Sequence, residues 1–360
     1  MLSKKSKRAT RISNNLMNTQ ISDLGEFGLI RKLTEQFAIT SPDRVRMAVG
    51  DDAAILQMQP DEELLVTTDM LLEGVHFDMT YMPLKHLGYK AVVVNVSDIC
   101  AMNGIPRQIT VSLGVSAKYT TEMLEELYKG IELACQHYQV DLVGGDTCAS
   151  QNGLAISITC LGSIPKGEAV LRSGAQPNDL ICVTGNLGAA YMGFQLLERE
   201  HRTFLSAPTE EFEPHFEGYE YLIERQLMPS AQRWLRDKLA EQSITPTAMI
   251  DISDGLSSEL LHIAERSQVG VRVYEDRLPL DRETLALCEE MSMSPITAAF
   301  NGGEDYELLF TVPLAQVGQV SAIEGVSVIG HATEASEGCR WISTDRAEHE
   351  LKAQGWNAFS

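Results

Sequence analysis

The residues most able to do chemistry in this 360-residue chain are aspartates that follow short apolar or glycine-rich runs. Val66-Thr67-Thr68-Asp69 sets the pattern, and Val49-Gly50-Asp51-Asp52, Val96-Ser97-Asp98, Val143-Gly144-Gly145-Asp146 and Ile250-Asp251-Ile252-Ser253-Asp254 repeat it. Any one of these acids alone is an ordinary turn or cap, because Asp bonds nearby backbone donors. Together they imply convergence. Two carboxylates about 4 Å apart repel by roughly 4 kcal/mol at an effective dielectric near 20. A fold keeps several such pairs only with cations among them, and hard oxygen donors, Thr67 and Thr68 hydroxyls included, suit magnesium. Asp51 and Asp52 point opposite ways in an extended chain, so one of them caps a turn; physics leaves open which. The expected centre is a magnesium–nucleotide site.

Other residues are weaker. Gly144-Gly145 and Gly302-Gly303-Glu304-Asp305 read as turns where backbone approaches a ligand closely. Gly185-Asn186-Leu187-Gly188 lies between a strand and a helix, yet matches neither phosphate-loop pattern, so a structural turn is the better reading. Arg172 is the best arginine for clamping a phosphate. A lone His76 is by default a hydrogen-bonded loop residue, and Trp356 by default packs a core. No GxSxG elbow supports serine hydrolysis.

Elements must position these groups. Apolar spacing predicts a helix over 24–38, with Ser22 or Asp23 as its cap, and helices over 83–103, 121–138, 189–198 and 256–267. The second of these places Asp98 near a helix C-terminus, before Gly104 and Pro106. Strands are expected at 45–49, 53–58, 64–68 (ending at Asp69), 109–115, 140–143, 154–164, 180–183, 248–252, 271–274, 305–312 and 326–329. Helical segments are also expected after Pro229 and Pro279. The mixture is α/β or α+β. Pro165-Lys166-Gly167 marks the expected boundary, giving a basic tail over 1–20 and domains over 21–165 and 166–360.

Charge narrows the partners. The net charge is −21, and residues 1–20 hold five basic residues and no acid, leaving 24 basic against 50 acidic side chains in the rest. So acidic a body repels nucleic acid, and anionic substrates would enter only with cations. Seven scattered cysteines without a CxxC read as reduced thiols of a cytoplasmic protein. No secretory core and no apolar run of membrane length is present, so no membrane partner is expected. The basic tail fits a transit peptide, a disordered extension or a start codon placed too early, with Met17 the alternative.

In order along the chain, Gly50-Asp51-Asp52-Ala53, Thr67-Thr68-Asp69, Val75-His76-Phe77, Asn95-Val96-Ser97-Asp98, Gly144-Gly145-Asp146-Thr147, Leu171-Arg172-Ser173-Gly174, Ile250-Asp251-Ile252-Ser253-Asp254-Gly255-Leu256 and Gly302-Gly303-Glu304-Asp305-Tyr306-Glu307-Leu308 resemble the thiamine-monophosphate kinase family. That family belongs to the ATP-binding superfamily that includes aminoimidazole ribonucleotide synthetase. The resemblance runs from about residue 23 to the end. It implies Mg²⁺-dependent transfer of the γ-phosphoryl of ATP to thiamine monophosphate, giving thiamine diphosphate and ADP. It implies metal contacts from Asp52, Thr67, Thr68, Asp69, Asp98, Asp146, Asp251 and Asp254, with Asp69, Asp98 and Asp146 assisting transfer and no covalent nucleophile. ATP contacts would come from Gly145, Asp146, Arg172 and Ser253, with Tyr128 a weaker candidate. His76, Glu304 and Trp356 would line the thiamine-phosphate side. The implied fold is the two-domain aminoimidazole ribonucleotide synthetase-like one, dimerising through the N-terminal sheet.

Rival members fit less well. A selenophosphate synthetase would need a reactive Cys near the N-terminus, and residues 1–50 contain none. A hydrogenase-maturation dehydratase should end in Cys, where this sequence ends Ala358-Phe359-Ser360. The cyclo-ligase reading is opposed by the contexts of His76 and Glu304. A non-catalytic metal binder would gather its ligands in one loop; here they span about 200 residues.

Overall fold

The structure, a computed structural model, describes residues 21–49, 53–206 and 212–354. The first part of the chain runs α1 (Ile21–Thr34), β1 (Val45–Met47), β2 (Ile55–Leu56), β3 (Glu62–Leu72), α2 (Leu84–Ala101), β4 (Ile105–Val115), α3 (Thr121–Tyr138), β5 (Asp141–Ala149) and β6 (Leu154–Pro165). The second runs β7 (Leu180–Thr184), α4 (Ala189–Ser206), α5 (Glu220–Leu227), α6 (Trp234–Glu241), β8 (Ala248–Asp251), α7 (Leu256–Ser267), β9 (Val269–Tyr274), α8 (Arg282–Glu290), α9 (Pro295–Asn301), β10 (Leu308–Val312), α10 (Val317–Val320), β11 (Val326–Glu334), β12 (Cys339–Ile342) and β13 (Glu348–Glu350). The α/β mixture expected from the sequence is present in both parts.

A four-stranded sheet, ordered β3-β6-β4-β5, is antiparallel except for the β4–β5 pair. One face buries Leu65, Leu71, Ile109, Val111, Leu113, Ile156, Ile158 and Cys160 against α2 and α3. The other face leaves Leu64 48%, Val66 60% and Met70 56% exposed on β3. A seven-stranded sheet, ordered β13-β12-β9-β11-β7-β10-β8, carries the second part.

Helix α2 joins the two. Fourteen of its eighteen residues are buried, from Leu87 to Ala101. A helix buried on nearly all sides belongs in an interior. It lies between the inner face of the first sheet and β8 of the second. One continuous apolar cluster therefore includes Val92, Val93 and Val96 of α2, Ile158 of β6 and Cys182 and Phe310 of the second sheet.

Several expectations need correction. Helix α1 covers Ile21–Thr34, so Ser22 and Asp23 lie inside it and do not cap it, and Phe37 lies beyond its end. Strand β3 does not stop at Asp69; pairing with β6 continues in register to Leu72, so Asp69 is mid-strand. Gly144-Gly145-Asp146 is not a turn but the middle of β5. A Cβ on Gly145 would stand 2.0 Å from the Val111 carbonyl oxygen, so the glycine is there to let two strands approach. Strands β12 and β13 and helices α5, α9 and α10 have no counterpart in the sequence reading. The Gly50-Asp51-Asp52 turn lies outside the described residues.

Candidate active site

Helix α2 presents four polar side chains to four different segments. Asn95 Oδ1 accepts the Asp69 amide at 3.1 Å while its Nδ2 donates to Ala91 O. Ser97 Oγ donates to Asp251 Oδ2 at 2.7 Å. Thr67 Oγ1 donates to Asp98 Oδ2 at 2.5 Å. Lys90 Nζ donates to Glu304 Oε2 at 2.7 Å and to Gln226 O at 3.0 Å. In this way one helix sets the middle of β3, the end of β8 and the loop after α9 in a common frame.

Asp69, Asp98 and Asp251 sit in that frame and act on one another. Burial, then the Asp98 charge, pushes Asp69 up to about 6. Burial and the same Asp98 charge push Asp251 up to about 7, against the Ser97 bond and the Arg172 charge. Asp98 is itself raised by burial, opposed by Thr67 and Arg172. Desolvated acids that repel one another are the arrangement a divalent cation relieves. Asp254 is likewise raised by burial and eased by His262 and Arg172. Among the described residues no three His, Cys, Asp or Glu side chains are close enough to hold a metal as they stand. The donor chemistry fits magnesium; a closed cage is not formed by the described residues.

Beside Asp98 opens a cleft of about 420 Å³ whose lining includes Thr67, Leu171, Arg172, Met249 and Arg266. Its walls are apolar and its charged groups few, the usual composition of a small-molecule site.

The second-sheet loops are locked together by backbone bonds. Glu304 N donates to Ser253 O, Tyr306 N to Ile252 O and Ile252 N to Glu307 O, at 2.7, 2.9 and 2.7 Å. A Cβ on Gly303 would lie 2.4 Å from Ser253 O, so this position must be glycine for the loops to meet. Glu304 and Tyr306 both take positive φ, at 67° and 51°. Non-glycine residues hold such conformations only where the surroundings over-determine them. Glu259, in the first turn of α7, reaches back to the Asp254 amide at 3.1 Å and is pushed up to about 8 by burial.

The remaining acids of the Gly302–Leu308 motif are structural. Asp305 accepts the amides of Gly188 and Ala190 at the start of α4, and Glu307 pairs with buried Arg225 at 2.9 Å. Because Asp305 occupies the Gly188 amide, and Gly185 N and Leu187 N donate to Gly325 O and Pro279 O, the Gly185–Gly188 turn is structural, as expected.

Not every expected residue joins the cluster. Thr68 faces the open side of the sheet, donating to Ile158 O while Thr159 donates to it. Asp146 is on that same side of β5, in one row with Ser112, Ser157 and Met70. Three strand spacings, about 14 Å, separate it from β3 within one chain. Its carboxylate accepts only the Thr147 amide among the described residues. Tyr128 is buried in α3 and meets Phe37 edge-on. His76 Nδ1 accepts the Leu72 amide in the turn after β3. Asp52 and Trp356 lie outside the described residues.

Sequence reasoning missed the contacts that Lys90, Gln226 and Glu259 make at this site. The signal for Lys90 was available: a lysine next to the apolar run Ala91–Val94 of a helix needs a buried partner. Nothing in the spacing identified that partner.

Comparison with known proteins fits this geometry. Residues 50–164 match the model described as AIR synthase related protein, N-terminal domain, and residues 176–341 its C-terminal domain counterpart. A thiamine-monophosphate kinase of Bacillus subtilis is 34% identical over 345 residues, 93% of this chain and 100% of the relative. The chain belongs to the thiamine-monophosphate kinase family. A relative from Aquifex aeolicus is 36% identical, over 88% of this chain and 97% of its own. The solved structure of AaThiL complexed with AMPPCP and TMP superposes with a TM-score of 0.72 at 34% identity, covering 95% of this chain and 100% of that one. The two-part fold is thus the family's.

Proposed function

We infer that this protein transfers the γ-phosphoryl group of ATP to thiamine monophosphate, forming thiamine diphosphate and ADP. The observation that carries the reading is full-length membership of a kinase family, with Asp69, Asp98 and Asp251 gathered around one buried helix. Mg²⁺ is the proposed metal, held by Asp69, Asp98, Asp251 and Asp254 with Thr67 and Asp52. When bound, it neutralises phosphate charge as the phosphoryl group moves.

The chain's own contributions follow from placement. Arg172, at the cleft beside Asp98, is assigned to the ATP phosphates, with Ser253 nearby in the locked loop. Glu304 and His76, with Trp356, are assigned to the thiamine-phosphate side. The acceptor is an ionised phosphate oxygen, so no strong base is needed, and positioning with charge neutralisation carries the reaction.

Thr68 and Asp146 occupy the open sheet face, which also exposes Leu64, Val66 and Met70. We assign this face to sheet-on-sheet packing in a homodimer, where its polar groups would join the metal and ATP contacts. The proposed division is 21–165 and 166–360, with a cytoplasmic location. Among the described residues no helix is long and apolar enough to cross a membrane.

The test is a substrate panel. With Mg²⁺ and ATP, chromatography should show thiamine monophosphate converted and free thiamine unchanged. Turnover of a formylglycinamidine-type ribonucleotide instead would move the assignment to the cyclo-ligase branch.

A further inference from the structure

Lys90 is 1% exposed, yet it carries an ammonium group in the middle of an apolar helix. Burying a charge is costly unless it is paired and hydrogen-bonded. Both of its bonds go to the second part of the chain: Glu304 Oε2 at 2.7 Å and the Gln226 carbonyl at 3.0 Å. Gln226 Nε2 donates to the same Glu304 oxygen at 3.0 Å. Glu304 Oε2 is therefore held by two donors, while Oε1 has no bond within the protein among the described residues. The Glu304 side chain remains 31% exposed. Its backbone is fixed as well, by positive φ and by the bond to Ser253 O. Such a carboxylate has one oxygen clamped and one presented.

We propose that Lys90 and Gln226 form a positioning clamp that orients the free oxygen of Glu304 toward the organic, cationic part of the acceptor substrate. A carboxylate repels the substrate's phosphate but accepts from an amino group or lies against a cationic ring. The clamp fixes where that contact falls relative to Asp98 and Asp251, because Lys90 and Asp98 share one rigid helix. It rests on the assignment of Glu304 to the thiamine-phosphate side.

Lys90→Met and Gln226→Leu test it. Each should raise the KM and the calorimetric Kd for thiamine monophosphate at least about tenfold, while the KM for ATP stays within about twofold. Gln226→Leu keeps the backbone carbonyl that Lys90 uses, so it serves if Lys90→Met fails to fold. A parallel rise in both KM values would show a general latch and overturn the proposal, as would unchanged acceptor affinity in a folded variant. Glu304→Gln separates the two layers. Unchanged thiamine monophosphate affinity in that variant would overturn the site assignment itself, whatever Lys90 does.

Discussion

Ser97 Oγ lies 2.7 Å from Asp251 Oδ2, and both side chains are buried. This single bond ties the central helix of the first sheet to the last residue of β8 in the second. A hydrogen bond to a charged group is worth about 1.5–3 kcal/mol. Ser97→Ala should therefore lower unfolding stability by about that amount near pH 7.5 and raise the KM for Mg²⁺. Denaturant unfolding and a magnesium titration check both; unchanged values would show that the bond does not organise the site.

Asp69 and Asp251, at about 6 and about 7, both titrate above an ordinary Asp. The folded protein thus holds protons that the unfolded chain releases near pH 4. Their stabilising contribution is complete below that pH and is lost as pH rises through 6 to 7. In EDTA, Asp251→Asn should melt above the unmodified protein by a smaller margin at pH 5.5 than at pH 8. Added Mg²⁺ should raise the melting temperature of the unmodified protein at pH 8 more than at pH 5.5. An equal loss of stability in Asp251→Asn at both pH values would contradict this.

Arg225 and Glu307 form a pair whose side chains are 9% and 3% exposed. Removing one partner of a buried pair leaves a charge without compensation, at a cost of about 3–5 kcal/mol. Arg225→Met should show a loss of this size in chemical denaturation, with a lower yield of soluble protein. Arg225→Met combined with Glu307→Gln should recover part of it. A single variant as stable as the unmodified protein would show that the pair is dispensable.

Val66 is 60% exposed on the open sheet face, in register with Leu161 of β6. A charge there cannot be buried between two copies. Val66→Asp should shift the mass measured by light scattering from dimer to monomer and lower activity. A monomeric unmodified protein, or a variant that remains dimeric, would remove this face as the interface.

How far the sequence carries depends on the physics each residue answers to. Helix α2 was legible because apolar spacing at Leu84, Leu87, Ala91 and Val94 is local, and Asp98 does lie near its end. Asp69 was read as a strand end because Thr67, Thr68 and Asp69 interrupt the apolar run. Pairing with β6 carries the strand through them, and pairing is not a local property. Gly145 read as a turn because glycine usually supplies flexibility there; it is instead the gap that admits Val111 O. Lys90 and Glu304 are 214 positions apart, and no spacing rule joins them. The acids Asp305 and Glu307, by contrast, proved to be a helix cap and a buried pair, roles that only the fold assigns.

Label transfer from [γ-³²P]ATP to thiamine monophosphate, run side by side with Asp69→Asn, tests the site most directly. The unmodified protein should place the label in thiamine diphosphate only when Mg²⁺ is present, and folded Asp69→Asn should lose at least about a hundredfold in rate. Label in thiamine diphosphate at a near-normal rate from Asp69→Asn would contradict the assignment of this carboxylate cluster as the active site.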